Sequence, residues 1–114
     1  MTWEEAVAFA LSLPDTELST SYGKPAVKVA SNGRAFLYPS HEADTSFGVE
    51  IDLDTVELLK ETDPDTFWQT PHYVGWTAVL VRYDSRDPDR VRDVIERSRD
   101  WNATRARVRP RKRK

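Results

Sequence analysis

"PAVKVASNGRAFLYP" (Pro25–Pro39) is the stretch that decides the fold. Asn32-Gly33 favours a two-residue hairpin turn, because both central positions of a type I′ turn need positive φ. On either side of that pair, residues alternate as they do in strands with one covered face. The two-residue register opposes Ser31 to Arg34, Val29 to Phe36 and Val27 to Tyr38. Those six side chains then share one face, and Lys28, Ala30, Ala35 and Leu37 share the other. Lys28 and Arg34 therefore point to opposite sides of the sheet.

Working outward, "SFGVEID" (Ser46–Asp52) supplies a further strand with Phe47, Val49 and Ile51 inward. "WTAVLVRY" (Trp76–Tyr83) is a strong central strand, with Thr77, Val79 and Val81 on one face and Trp76, Ala78 and Leu80 on the other. "FWQTPHYVG" (Phe67–Gly75) reads as a short strand or loop rich in aromatics. Three amphipathic segments frame these strands. Thr2 and Glu5 have the spacing of a capping box, Trp3, Val7, Ala10 and Leu11 form an apolar stripe, and Pro14 ends the segment. Asp54 is placed as an N-cap with Glu57 at N3, and Leu53 and Leu58 as a hydrophobic staple. Val56 and Leu59 form the buried face of that helix, which Asp63-Pro64 closes. Asp87-Pro88 opens the last helix, which turns Val91, Val94, Ile95, Ser98 and Trp101 toward the sheet. The order of elements gives an α+β fold, an antiparallel β-sheet packed against three helices.

Length and composition narrow the classes. A chain of 114 residues can bury one core, and 32% charged with 39% hydrophobic residues suits a globular protein. Cysteine is absent, which excludes disulfides, thiolate catalysis and thiolate metal sites. No apolar run approaches the roughly 20 residues of a membrane span. The acidic start, Met-Thr-Trp-Glu-Glu, lacks the basic-then-apolar order of a signal peptide, so the expected location is cytoplasmic, with a monomer as the default state.

Charge is unevenly placed. Residues 1–104 hold ten basic and all 19 acidic side chains, net −9, whereas "RARVRPRKRK" (105–114) carries seven positive charges. Arg105, Arg107, Arg109, Arg111, Lys112, Arg113 and Lys114 thus form a basic C-terminal tail on an acidic domain. Such asymmetry fits an arm for a polyanion, or a solvated end that screens the domain it is attached to.

With these pieces in order, the chain resembles the MmcQ/YjbR family. The resemblance rests on "SYGKPAVKV…GRAFLY", then "VEIDLDTVELLK", then "TPHYVGWTAVLV" and a closing amphipathic helix with Ser98, and spans roughly residues 2–101. It implies a compact α+β domain with an antiparallel sheet, sometimes described as a double wing, and a DNA-binding role. It brings no catalytic residues, cofactor or ligand. The tail lies beyond the shared pattern, and its assignment to nucleic acid rests on charge.

Motifs for other chemistry are missing. The glycines at 23, 33, 48 and 75 are scattered, so neither a phosphate-binding loop nor a dinucleotide fingerprint can be written, and there is no nucleophile elbow. "HEAD", with His41, Glu42 and Asp44, offers metal-ligating groups but matches no established spacing and reads first as a solvated loop. No metal or cofactor is expected. His72, Tyr73 and Trp76 could line a pocket or stack on a base; the bland alternative makes the two larger rings core or sheet-edge aromatics. Lys24, Lys28 and Arg34 are the domain's candidates for phosphate contact, against the alternative that they only aid solubility. On the last helix, arginines alternate with acids, a mixed solvent face and not a basic stripe.

These readings converge on a non-catalytic binding module whose first-choice partner is nucleic acid, probed through the phosphate backbone. Two alternatives stay open: an adaptor whose acidic domain takes a basic protein, and a small-ligand binder using His72, Tyr73 and Trp76. Truncation after Thr104 checks the tail. If the tail engages about four to seven phosphates, log K on duplex DNA falls with log salt at a slope of roughly −4 to −6, and the truncated chain loses binding. Binding to one duplex at two salt concentrations that survives truncation would move the site onto Lys24, Lys28 and Arg34.

Overall fold

The alternation in "SFGVE" and "AVLVR" builds the middle of a six-stranded antiparallel sheet in the computed structural model, which describes residues 1–108. Arg109, Arg111, Lys112, Arg113 and Lys114 of the tail lie outside the described residues. The elements run α1 (Trp3–Leu11), β1 (Thr16–Ser21), β2 (Lys24–Val29), β3 (Ala35–Pro39), β4 (Ser46–Glu50), α2 (Leu53–Thr62), β5 (Phe67–Trp68), a 3₁₀ turn (Pro71–Tyr73), β6 (Ala78–Arg82) and α3 (Pro88–Ala103). Strand order is β1-β2-β3-β4-β6-β5, and every pair is antiparallel. This is the α+β architecture expected from the order of the elements.

All three helices cover one face of the sheet. Val27, Leu37, Phe47, Val49, Phe67, Val79 and Val81 meet Ala6 and Ala10 of α1, Val56 and Leu59 of α2, and Val91, Val94 and Ile95 of α3 in one buried cluster. The capping box at Thr2 and Glu5 forms, as does the Asp87 cap on α3. On α1, however, Ala6 and Ala10 face inward and Leu11 is exposed. The cap of α2 sits two residues earlier than expected. Asp52, not Asp54, accepts from the Thr55 backbone N–H (3.1 Å) and from its hydroxyl (2.8 Å), a double partner that Asp54 lacks. Leu53 and Leu58 are both exposed, so that pair forms no staple.

The β2–β3 hairpin departs most from its local signal. Its connection is Ala30–Arg34, closed by Gly33 N–H to Val29 O (2.8 Å) and Val29 N–H to Arg34 O (2.9 Å). Gly33 takes the positive φ (+73°), but Asn32 does not. The cause is tertiary. Asn32 is buried, its Nδ2 donates to the carbonyls of Asn102 (2.7 Å) and Arg105 (3.2 Å), and its Oδ1 accepts from Arg34 N–H (3.0 Å). Register changes accordingly: Val27 opposes Leu37 and Lys28 opposes Ala35, which leaves Phe36 as the extra residue of a bulge. The bulge lets Phe36 and Leu37 both enter the core and turns Tyr38 to the opposite face. The two-residue turn occurs instead between β1 and β2. There Tyr22 (φ +52°) and Gly23 (φ +78°) connect Ser21 to its partner Lys24.

Asn102 replaces Trp101 as the last inward residue of α3. It is fully buried, and its Nδ2 donates to the carbonyls of Glu50 (3.0 Å) and Ser98 (2.8 Å). The Ser98 hydroxyl donates to the same Glu50 carbonyl, so α3 is tied to the end of β4. Past α3, Arg34 Nε donates to Ala106 O (2.7 Å) and Val108 N–H donates to Asn32 O (2.9 Å), which lays residues 105–108 along the hairpin loop. Asn102→Ala removes buried donors on both sides of this junction. It is expected to cost about 1–3 kcal/mol of stability in urea denaturation; a change within error of zero would show that the junction is not a stabilising feature.

Candidate functional site

No helix covers the second face of the sheet. Strand alternation turns Lys24, Ala26 and Lys28 of β2, Tyr38 of β3, Ser46, Gly48 and Glu50 of β4, and Ala78, Leu80 and Arg82 of β6 toward it. The Tyr38 ring packs against Gly48, where any Cβ would overlap it. Trp68 extends this layer, donating Nε1–H to Ser46 Oγ (3.0 Å) beneath the Arg82 guanidinium, 4.5 Å from the ring centroid.

A cleft of about 490 Å³ opens on this face. Its floor is Tyr38, Glu50 and Ala78. The β1–β2 turn contributes Ser21, Tyr22 and Lys24 to its walls, the aromatic loop His72, Tyr73 and Trp76, and the end of β3 with the loop after it Pro39 and His41. Ring centroids of the loop aromatics lie 5.2–5.6 Å apart, with Tyr73 and Trp76 edge to face. Gln69 holds that loop in place: its Nε2 donates to the carbonyls of Tyr73 (3.0 Å), Trp76 (3.3 Å) and Ala78 (2.7 Å), while its Oε1 accepts from Lys60 of α2 (2.8 Å).

Glu50 is the acceptor at the bottom. Its Oε1 accepts from the Tyr38 hydroxyl (3.2 Å) and its Oε2 from the Thr77 hydroxyl (2.7 Å); Arg105 Nη1 stands 3.9 Å from Oε2. Burial, and then the nearby Glu50 carboxylate, push the Tyr38 phenol well above the usual tyrosine range. The same two causes, burial first, raise Tyr73. Both phenols are therefore neutral donors at physiological pH.

The sequence candidates divide clearly. His72, Tyr73 and Trp76 do line one pocket, and Lys24 and His41 join them. Lys28 is on the same face, opposite Glu17 of β1. Arg34 is turned away and bound to the Ala106 carbonyl. Arg105 is half-buried, stacked 4.6 Å from the Trp101 ring centroid and bonded to Asn102 Oδ1 (3.2 Å); Arg107 is exposed. Among the described residues, no group of three or more His, Asp or Glu is placed to hold a metal ion. Tyr22, Tyr38, Glu50 and Gln69 escaped sequence reasoning. Tyr22-Gly23 was the available signal, a turn pair immediately before Lys24.

Charge segregates between the faces. The helices and their caps carry 12 of the 19 acids against five basic residues. The strands turn Lys24, Lys28 and Arg82 to the open face against Glu17 and Glu50.

A family model described as YjbR matches residues 11–101, while no curated protein and no solved structure matches the chain. The matched stretch contains all six strands and every residue that lines the cleft. On that extent, the chain belongs to the YjbR family.

Proposed function

We propose that this protein is a non-catalytic nucleic-acid-binding module in which bases of a single strand stack in the cleft. Lys24, Lys28 and the basic tail meet the phosphates. The observation that carries this reading is Tyr22. It is 95% exposed and sits at φ +52°, a left-handed conformation that costs a non-glycine residue about 1–2 kcal/mol. An exposed ring gains nothing from the core in return, and local strain of this kind clusters at ligand-binding positions. Trp76, 53% exposed, and His72 line the same cleft. Stacking on such rings contributes roughly 1–3 kcal/mol per base and accepts any base.

The cleft's polar groups suit holding more than reacting. Glu50 is engaged by two hydroxyls, and the two phenols at its side stay protonated. The acids concentrated on the helices leave the open face as the one where a polyanion meets lysines.

Tyr22→Asn separates this reading from a purely structural role. Asparagine tolerates positive φ, so the variant is expected to be more stable by about 1 kcal/mol in urea denaturation. It should also bind a single-stranded oligonucleotide more weakly, by roughly 5- to 150-fold, and Trp76→Ala should weaken binding comparably. Unchanged affinity in both variants, or tighter binding to a duplex than to either single strand, would remove the stacking model.

A further inference from the structure

The geometry points to a guanine-selective cleft in which the Glu50 carboxylate accepts the adjacent N–H donors of the base's Watson–Crick edge. The inference rests on the nucleic-acid reading above and adds a preference that stacking alone does not supply.

Glu50 lines the cleft together with the aromatic rings, and its side chain is a quarter exposed. A carboxylate has about four acceptor positions. Tyr38 uses one on Oε1 and Thr77 one on Oε2, and Arg105, at 3.9 Å, is beyond direct hydrogen-bond distance. Each oxygen therefore keeps a free lone pair, and the two hydroxyls fix the plane in which the pair is presented. A base stacked on the His72–Trp76 rings, which line the cleft together with Glu50, brings its edge, not its face, to that carboxylate.

Base chemistry then discriminates. Guanine presents N1–H and the exocyclic N2–H side by side, two parallel donors for two carboxylate oxygens. Adenine and cytosine offer one amino group next to a ring nitrogen acceptor, which would face the second oxygen. Thymine and uracil offer one N–H between two carbonyls. Only guanine satisfies both oxygens without opposing an acceptor to a carboxylate, and an unmatched buried acceptor is costly. A good bidentate pair discriminates by about 5- to 150-fold against other bases.

The test uses the full chain and nine-residue oligothymidylates carrying one central guanine, inosine, adenine, cytosine or thymine, followed by tryptophan fluorescence. Guanine is expected to bind about tenfold tighter than the rest. Inosine, which lacks only the N2 amino group, should fall toward the others, and Glu50→Gln should erase the preference. Equal affinity for all five, or a preference for adenine or cytosine, overturns guanine selection and leaves stacking intact. Failure of every oligonucleotide to bind overturns both. If Glu50→Gln does not fold, as judged by circular dichroism, the guanine-to-inosine ratio on the native chain decides alone.

Discussion

The Glu50 carbonyl is the joint on which both halves of the molecule depend. Ser98 and Asn102 of α3 donate to it from the helical side, while the carboxylate of the same residue accepts from Tyr38 and Thr77 on the open side. Two side-chain donors on one backbone carbonyl tie the end of β4 to α3, and leaving a buried acceptor unpaired costs about 1–3 kcal/mol. Fixing the backbone there fixes the side chain's direction too. Core packing thereby sets where the cleft's only described floor carboxylate stands.

A second constraint follows from the bulge at Phe36. Without the extra residue, Leu37 and Tyr38 would exchange faces, and a phenol would enter the core in place of a leucine. The bulge delivers Tyr38 to the open face, where the missing side chain of Gly48 makes room for its ring. That contact supports the floor beside Glu50. Gln69 does the equivalent for the opposite wall, because its three carbonyl bonds hold a loop with no strand pairing of its own. The cleft is thus built on a floor fixed by the sheet, with the Tyr22-Gly23 turn and the Gln69-held aromatic loop projecting beyond it.

Periodic elements were legible because their burial is periodic: Val49, Val79, Val81 and the Val91–Ile95 face of α3 behave as their spacing implies. Strand β1 was not, since "TELSTS" holds one apolar residue, Leu18, which is itself exposed. Asn32-Gly33 misled for a physical reason. Its side chain is recruited by partners about 70 residues away, and no local pattern encodes them. Among site residues, His72, Tyr73 and Trp76 stood out because they cluster in one short loop. Glu50 did not, because a lone acid at the outward position of a strand looks like a solvated surface group. Tyr22 was hidden behind the stronger turn signal ten residues later.

The net charge of −9 over residues 1–104 argues against a polyanion only if the charge acts as a whole, and the fold prevents that. Twelve of the acids lie on the helical layer, across the sheet from the cleft. A helix is about 10–12 Å across, and the Debye length in physiological salt is about 8 Å, so their field is largely screened at the open face. The charges that the strands turn to that face are Lys24, Lys28 and Arg82, with Glu17 and Glu50 among them. Arg105, the first cation of the tail, stands 3.9 Å from the carboxylate on the cleft floor. On the proposed function, that placement divides the labour. The tail's cations attract any phosphate backbone and raise the local concentration of strand near the aromatic walls, a sequence-blind and salt-sensitive contribution. The cleft then acts on what has been brought to it, through contacts that salt weakens far less because stacking and short hydrogen bonds carry no counterion release.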